Sequence, residues 1–136
     1  MAHVSGEKQI VAAVSAGGVI GALARYGLSV AWPHGPGGFA WSTFVVNVSG
    51  CLLMGVLMVV ITEVYPDQRL VRPFLGVGVL GGYTTFSTYV IDVGHNATSG
   101  AAAIGLAYFF ATVIGALVAV WAGAAGTGYV LARRRR

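Results

Sequence analysis

"GGYTTFSTYV", residues 81–90, is too polar for the sequence around it. It is crowded with threonine, serine and tyrosine hydroxyls, yet long apolar runs flank it on both sides. The chain has 136 residues, 57% hydrophobic and 9% charged, with a mean hydropathy of +0.80. An ordinary soluble domain carries about 25% charged residues, so this composition specifies an integral membrane protein. The charges are also confined. From Ile10 to Ile61 the sole charge is Arg25, and from Pro73 to Leu131 it is Asp92. Uncharged stretches of that length read as membrane spans, each needing roughly 20 residues to cross a hydrocarbon core.

Turn and charge signals cut the chain into four spans, at about 10–30, 41–61, 73–93 and 99–131, in a single all-α membrane domain covering 1–136. The first ends before Trp32, Pro33, His34, Gly35, Pro36 and Gly37, which no helix continues through. The second stops at Glu63, Tyr65, Pro66 and Asp67. The third opens at Arg72 and Pro73, where a missing N–H costs nothing in the first turn. Trp32, Trp41, Tyr65 and Tyr129 fall at span ends, the place of amphipathic rings. The first apolar run is long and glycine-containing with further spans behind it, so it reads as a retained helix and not a signal peptide.

Four spans put both termini and the second connection on one side. That side holds Lys8, Arg69, Arg72 and Arg133 to Arg136, seven of the eight Lys and Arg residues. The positive-inside rule then turns the termini to the cytoplasm, with the arginine run as a topology anchor and not a nucleic-acid patch. The pairs Gly17/Gly21, Gly18/Ala22 and Gly78/Gly82 predict close helix packing. A bundle this small has little interior for a water-filled path, so transport calls for an oligomer.

Polar residues inside spans are costly and therefore informative. Thr43 and Asn47 share a face of the second span, with Cys51 one turn on; Tyr108 and Thr112 share one of the fourth. Phe86 and Tyr89 project to one side of the third, Ser87 and Thr88 to others. Gly81 and Gly82 followed by Tyr83, Thr84 and Thr85 combine poor helix formers with β-branched hydroxyl residues, which predicts a broken third helix. Irregular backbone survives at membrane depth only where protein or a cavity satisfies it, and freed carbonyls are suited to a cation.

The segments "GGVIGALARY" (17–26), "STFVVNVSGCLLMG" (42–55), "GVLGGYTTFSTY" (78–89) and "YFFATVIG" (108–115), in this order, closely resemble the CrcB/Fluc family of fluoride channels. The resemblance implies an antiparallel dual-topology dimer in the cell membrane, with fluoride pores along the subunit interface and a central structural sodium ion. It also implies roles: Asn47 as a pore hydrogen-bond donor, Phe86 and Tyr89 as aromatic stations, and Ser87 and Thr88 as a hydroxyl track. Gly81 and Thr84 would give carbonyls to sodium, Tyr108 and Thr112 would face the pore, and Arg25 would sit at its mouth. Export of fluoride would be passive, the ion having entered as the weak acid HF from an acidic exterior.

That residue set makes chemical sense, since fluoride's tightly held water must be replaced by short hydrogen bonds from hydroxyl and amide groups. An aromatic ring edge carries partial positive charge and faces an anion without trapping it. Two features depart from the family pattern: Tyr89 stands where Phe is usual, and the basic bias is large for a protein that inserts both ways. The second feature raises a heterodimer with an inverted homologous subunit beside the homodimer.

Other classes fit less well. A small multidrug exporter needs a carboxylate in its first span, and residues 10–30 have none. An intramembrane enzyme needs a nucleophile with a base or a metal cluster, whereas His34 and His95 read as loop residues at span ends without visible partners. Asp92, just past the polar stretch, reads as an interfacial cap, with a gating or vestibule charge as the alternative. "GVGVLG" (76–81) has the spacing of a dinucleotide fingerprint but lies in a span without a βαβ unit. The Asn47 and Asn96 sequons are uninformative. Lone Cys51 makes no intrachain disulfide and reads as small apolar filler.

Overall fold

The computed structural model describes residues 2–135, with side chains described over 6–135. The described residues form helices and no strand. Helix α1 spans Ala2–Ala31, α2 Trp41–Glu63, and α5 Ala102–Arg134. The third span is built in two pieces. Its first half, α3 (72–83), is π-wound over Arg72–Leu80 and closes with an α turn at Gly81–Tyr83. Its second half is α4, Ser87–Thr98. Four segments, Gly6–Ala31, Trp41–Glu63, Arg72–Thr98 and Ala102–Arg134, are long and apolar enough to cross a membrane.

The break in the third span falls at Thr84–Phe86, C-terminal to the glycine pair. Gly81 and Gly82 stay helical, so low helix propensity alone does not place the interruption. The site is chosen by partners outside the helix, described below. The fourth helix begins at Ala102 and not near Ser99, because residues 99–101 form a turn around Gly100, whose φ is +81°.

The helices pack as two parallel pairs. In one, α1 lies along α3: a Cβ on Gly78 would sit 2.9 Å from the Gly17 Cα, and a Cβ on Gly82 3.0 Å from the Gly18 Cα. In the other, α2 lies along α5, with Gly55 against Val120 and Gly115 against Val48 and Phe44. The pairs run antiparallel to each other, since α1 and α3 leave the side that α2 and α5 return to. Arg135 and Glu63 meet at 3.3 Å where the second pair ends. Arg136 lies outside the described residues.

Backbones this close exclude side chains, which is how small residues hold membrane helices together. A methyl at Gly21 would run into the Val79 carbonyl and the Tyr83 N–H, neither of which moves without unwinding α3. Gly21→Ala is therefore expected to destabilise the fold by about 1–3 kcal/mol, the usual cost of overpacking. Gly27→Ala, with nothing within 4 Å of the added carbon, is the matched control. Thermal unfolding of the two variants in detergent checks the difference.

Large apolar side chains such as Val19, Leu23 and Leu117 face outward, as expected of helices solvated by lipid or a second subunit. The buried cluster is displaced toward one end, where Ala40, Tyr89 and Tyr108 pack together with Phe39, Phe44 and Val93 around them. The polar site begins at the edge of this cluster.

Candidate functional site

At Thr84 the backbone leaves the helix for an extended conformation, φ −75° and ψ 158°. The exposed peptide groups on either side of Thr85 are taken up by one side chain from α2. Asn47 Nδ2 donates to the Thr85 carbonyl at 2.9 Å, and Asn47 Oδ1 accepts the Thr85 N–H at 2.8 Å. This two-point contact satisfies the backbone that irregular structure would otherwise leave bare. Asn47 retains a second N–H. The contact is close because residue 50 is glycine: a Cβ there would overlap the Thr84 methyl. Ser49 and the Tyr83 hydroxyl, 3.0 Å apart, add a second tie between α2 and α3.

The same contacts free two carbonyls. In a continuous helix Gly81 O would accept from the Thr85 N–H, which here goes to Asn47. Thr84 O would accept from the Thr88 N–H, which here goes to Thr85 Oγ1 at 3.2 Å. Gly81 and Thr84, the residues expected to ligate a cation, thus carry carbonyls released from helical bonding. Arg25 reaches the break from α1 and donates from Nε to Gly82 O at 3.1 Å.

The hydroxyl residues line up along the start of α4. Thr85 Oγ1 donates to Thr88 Oγ1 at 3.1 Å and lies 3.5 Å from Ser87 Oγ. Thr85 and Thr88 open into a cleft of about 210 Å³ that also takes Arg25, Tyr26, Ser42 and Thr43 on its walls. Thr85 and Ser42 were not among the residues singled out as an ion path from sequence, although Thr85 belongs to the same hydroxyl run.

Phe86 and Tyr89 share a side, with ring centroids 6.0 Å apart, but their environments differ. Phe86 is 78% exposed and Tyr89 only 4%. The Tyr89 hydroxyl donates to the Phe109 carbonyl at 3.0 Å, and its ring stacks on Phe109 at 5.8 Å. The extra oxygen that distinguishes Tyr from Phe is therefore directed at α5.

Tyr108 and Thr112 lie on the buried face of α5. Tyr108 is fully buried and its hydroxyl points to Asp92 Oδ2 at 3.4 Å. Thr112 Oγ1 is buried with no hydrogen-bond partner among the described residues, an uncommon state for an inward hydroxyl. Asp92 does not cap a helix end, contrary to its reading from sequence: α4 continues to Thr98. It is buried, accepts from Thr43 Oγ1 at 3.1 Å and Tyr108, and meets His34 Nε2 at 3.4 Å. His34 thus has a partner that its position in a Pro/Gly loop concealed. His95 lines the same small cavity as this pair.

A family model for CrcB-like proteins (Camphor Resistance, CrcB) matches residues 12–124. Fluoride-specific ion channel FluC 1 of Streptomyces coelicolor is 54% identical over 93% of this chain and 82% of its own length. FluC 2 of Streptomyces avermitilis is 53% identical over 96% of this chain and 83% of its own. FluC 3 of the same organism is 42% identical over 95% and 63% respectively. These relatives are ion channels and not enzymes.

Proposed function

This multi-pass membrane chain belongs to the CrcB family, and from that premise we propose that it is a fluoride-selective channel that relieves fluoride toxicity by passive export. The observation that carries this reading is the 54% identity with a named fluoride channel along 93% of the chain. Expression in cells lacking their own fluoride exporter tests it. Growth in fluoride should be restored, and growth no better than with an empty vector would count against the assignment.

The path we assign runs along the broken third span. Ser87, Thr88, Tyr108 and Thr112 offer O–H donors, and the second N–H of Asn47 adds an amide; together they replace fluoride's water with weak, successive bonds. Phe86 presents a ring edge on the exposed surface, and the buried Tyr89 ring stands behind it with its hydroxyl held by Phe109. Arg25 supplies positive charge at the cleft without sitting on the ion, because Gly82 O holds its Nε.

The freed Gly81 and Thr84 carbonyls fit a hard monovalent cation, which binds backbone oxygen at helix interruptions. Sodium bound there would offset the anion's charge and fix the break. The fit rests on this chain's own bonding pattern, since Asn47 and Thr85 divert the two N–H groups that would occupy those oxygens.

Thr112 gives a clean test of the path. Its hydroxyl has no partner to lose, so Thr112→Val should leave thermal stability unchanged or raised. Fluoride flux should fall by about tenfold, because a hydrogen bond to a charged group is worth roughly 1.5–3 kcal/mol. Parallel unfolding and flux measurements on one preparation check both halves.

The assembly we propose is an antiparallel dimer, with Phe86 and the break facing an inverted partner. The basic bias fixes this chain with its termini in the cytoplasm, which favours a homologous inverted subunit over a second copy. Cysteines placed at the termini should be labelled from the cytoplasmic side alone; labelling from both sides would point to a dual-topology homodimer.

A further inference from the structure

The loop at 32–40 closes over one end of the site and carries a titratable group that the path above does not use. His34 Nε2 lies 3.4 Å from Asp92 Oδ1, with the imidazole 31% and the carboxylate side chain 10% exposed. The loop is fixed in place. Asn96, itself buried, donates from Nδ2 to Gly38 O at 3.3 Å. Gly37, at φ +77°, brings the chain against Ser99 and Ala101.

The other carboxylate oxygen holds one path hydroxyl, that of Tyr108, and the hydroxyl of Thr43 on the cleft wall. Asp92 Oδ2 accepts from Thr43 Oγ1 at 3.1 Å and from the Tyr108 hydroxyl at 3.4 Å. A hydroxyl has one hydrogen to give, so a Tyr108 or Thr43 proton committed to Asp92 is withheld from a passing anion. The carboxylate also repels that anion. Its titratable and charged surroundings are His34 from the loop, His95 in the same cavity, Tyr108 with Tyr89 at 5.4 Å, and Arg25 across the cleft that Thr43 lines.

We propose that His34 is an acid-operated release for Asp92: protonated His34 draws the carboxylate's charge toward Oδ1, which offsets its repulsion of the anion and weakens the hold of Oδ2 on the Tyr108 and Thr43 hydroxyls, so that they can turn to the anion. Fluoride passage then rises as the side bearing residues 32–40 is acidified. The inference rests on the fluoride reading above and adds to it a regulatory residue outside the path. Imidazole is suited to the task because its ordinary charge change falls between about pH 5 and 8. In the orientation proposed above, this loop faces the exterior. Acid there drives weak-acid entry, so the exit would open under the conditions that load the cell.

The test uses the full-length protein in liposomes, alone and with an inverted homologous subunit, with leak through protein-free vesicles subtracted and the conducting preparation used throughout. On acidification from about pH 7.5 to about 6.0, inside the ordinary imidazole range, wild-type flux should rise. The expected change is about two- to fivefold, as for a partly exposed ion pair. His34→Gln should be flat and His34→Arg should be high at both values. A pH response in His34→Gln equal to wild type would overturn the proposal.

A second readout needs no transport. In NMR spectra of the protein with labelled His and Tyr, the Tyr108 signals should move together with the His34 imidazole, and should stop doing so in His34→Gln. Tyr108 signals indifferent to His34 would sink the release even if selective fluoride flux is present. Coupled signals in a folded protein that moves no fluoride would support the release and reject the transport reading instead.

Discussion

Asn47→Ala is expected to abolish fluoride flux and to lower stability at the same time. The substitution deletes both contacts to Thr85, at 2.9 and 2.8 Å, and leaves a peptide N–H and carbonyl without partners at membrane depth. Each orphaned group costs about 1–3 kcal/mol. The break then has two ways to relax. It can rewind, which restores the bonds of Gly81 O and Thr84 O and removes the proposed cation site, or it can collapse against α2. Either outcome misplaces Thr85, Thr88 and Phe86 together and removes the Asn47 amide from the path. Flux below about a hundredth of wild type is expected, since losses of several kcal/mol translate to factors of that size. Flux within twofold of wild type, in a variant that unfolds at a lower temperature, would show that the latch is structural and separate from conduction.

Phe86→Ala should have the opposite balance. The ring is 78% exposed and, among the described residues, its one aromatic neighbour is Tyr89, at 6.0 Å. Its removal therefore takes away little packing inside the chain, and thermal unfolding of the isolated subunit should barely change. Flux should fall by about tenfold or more, comparable to the roughly 1.5 kcal/mol carried by a well-placed aromatic contact. Phe86→Leu, similar in bulk but without a ring edge, separates the quadrupole from simple space filling. Equal flux in wild type and the leucine variant would remove the ring edge from the mechanism.

Much of this was legible in the sequence because membranes simplify the code. Long uncharged stretches bounded by Trp32–Gly37 and by Glu63–Asp67 give four helices. The glycine pairs Gly17/Gly21 and Gly78/Gly82 are the surfaces on which α1 and α3 meet. A broken third helix follows from the run of Gly81, Gly82, Tyr83, Thr84 and Thr85, and the break falls at the C-terminal part of that run, at Thr84–Phe86. Local composition spreads the expectation over five residues, and Asn47, some 38 positions earlier, selects Thr85 among them. Partner choice across a fold is not written in local composition.

The same limit concealed the Asp92 cluster. Asp92 is the single charge between Pro73 and Leu131, and that isolation was itself a signal of a buried role. What the sequence withheld was the return of the 32–40 loop, which brings His34 onto a carboxylate 58 positions away. Thr43, legible as sharing a face with Asn47, proves to serve a different partner on α4. Tyr89 marks a further boundary: its hydroxyl reads as a change to an aromatic station, and the fold turns it toward the Phe109 carbonyl.

The most direct measurement is fluoride efflux from liposomes containing the purified protein, alone and with an inverted homologous subunit, followed by electrode beside a chloride control. A selective channel predicts rapid fluoride release in at least one of the two preparations with chloride retained. Release of both halides at similar rates, or none from folded protein in either preparation, would contradict it.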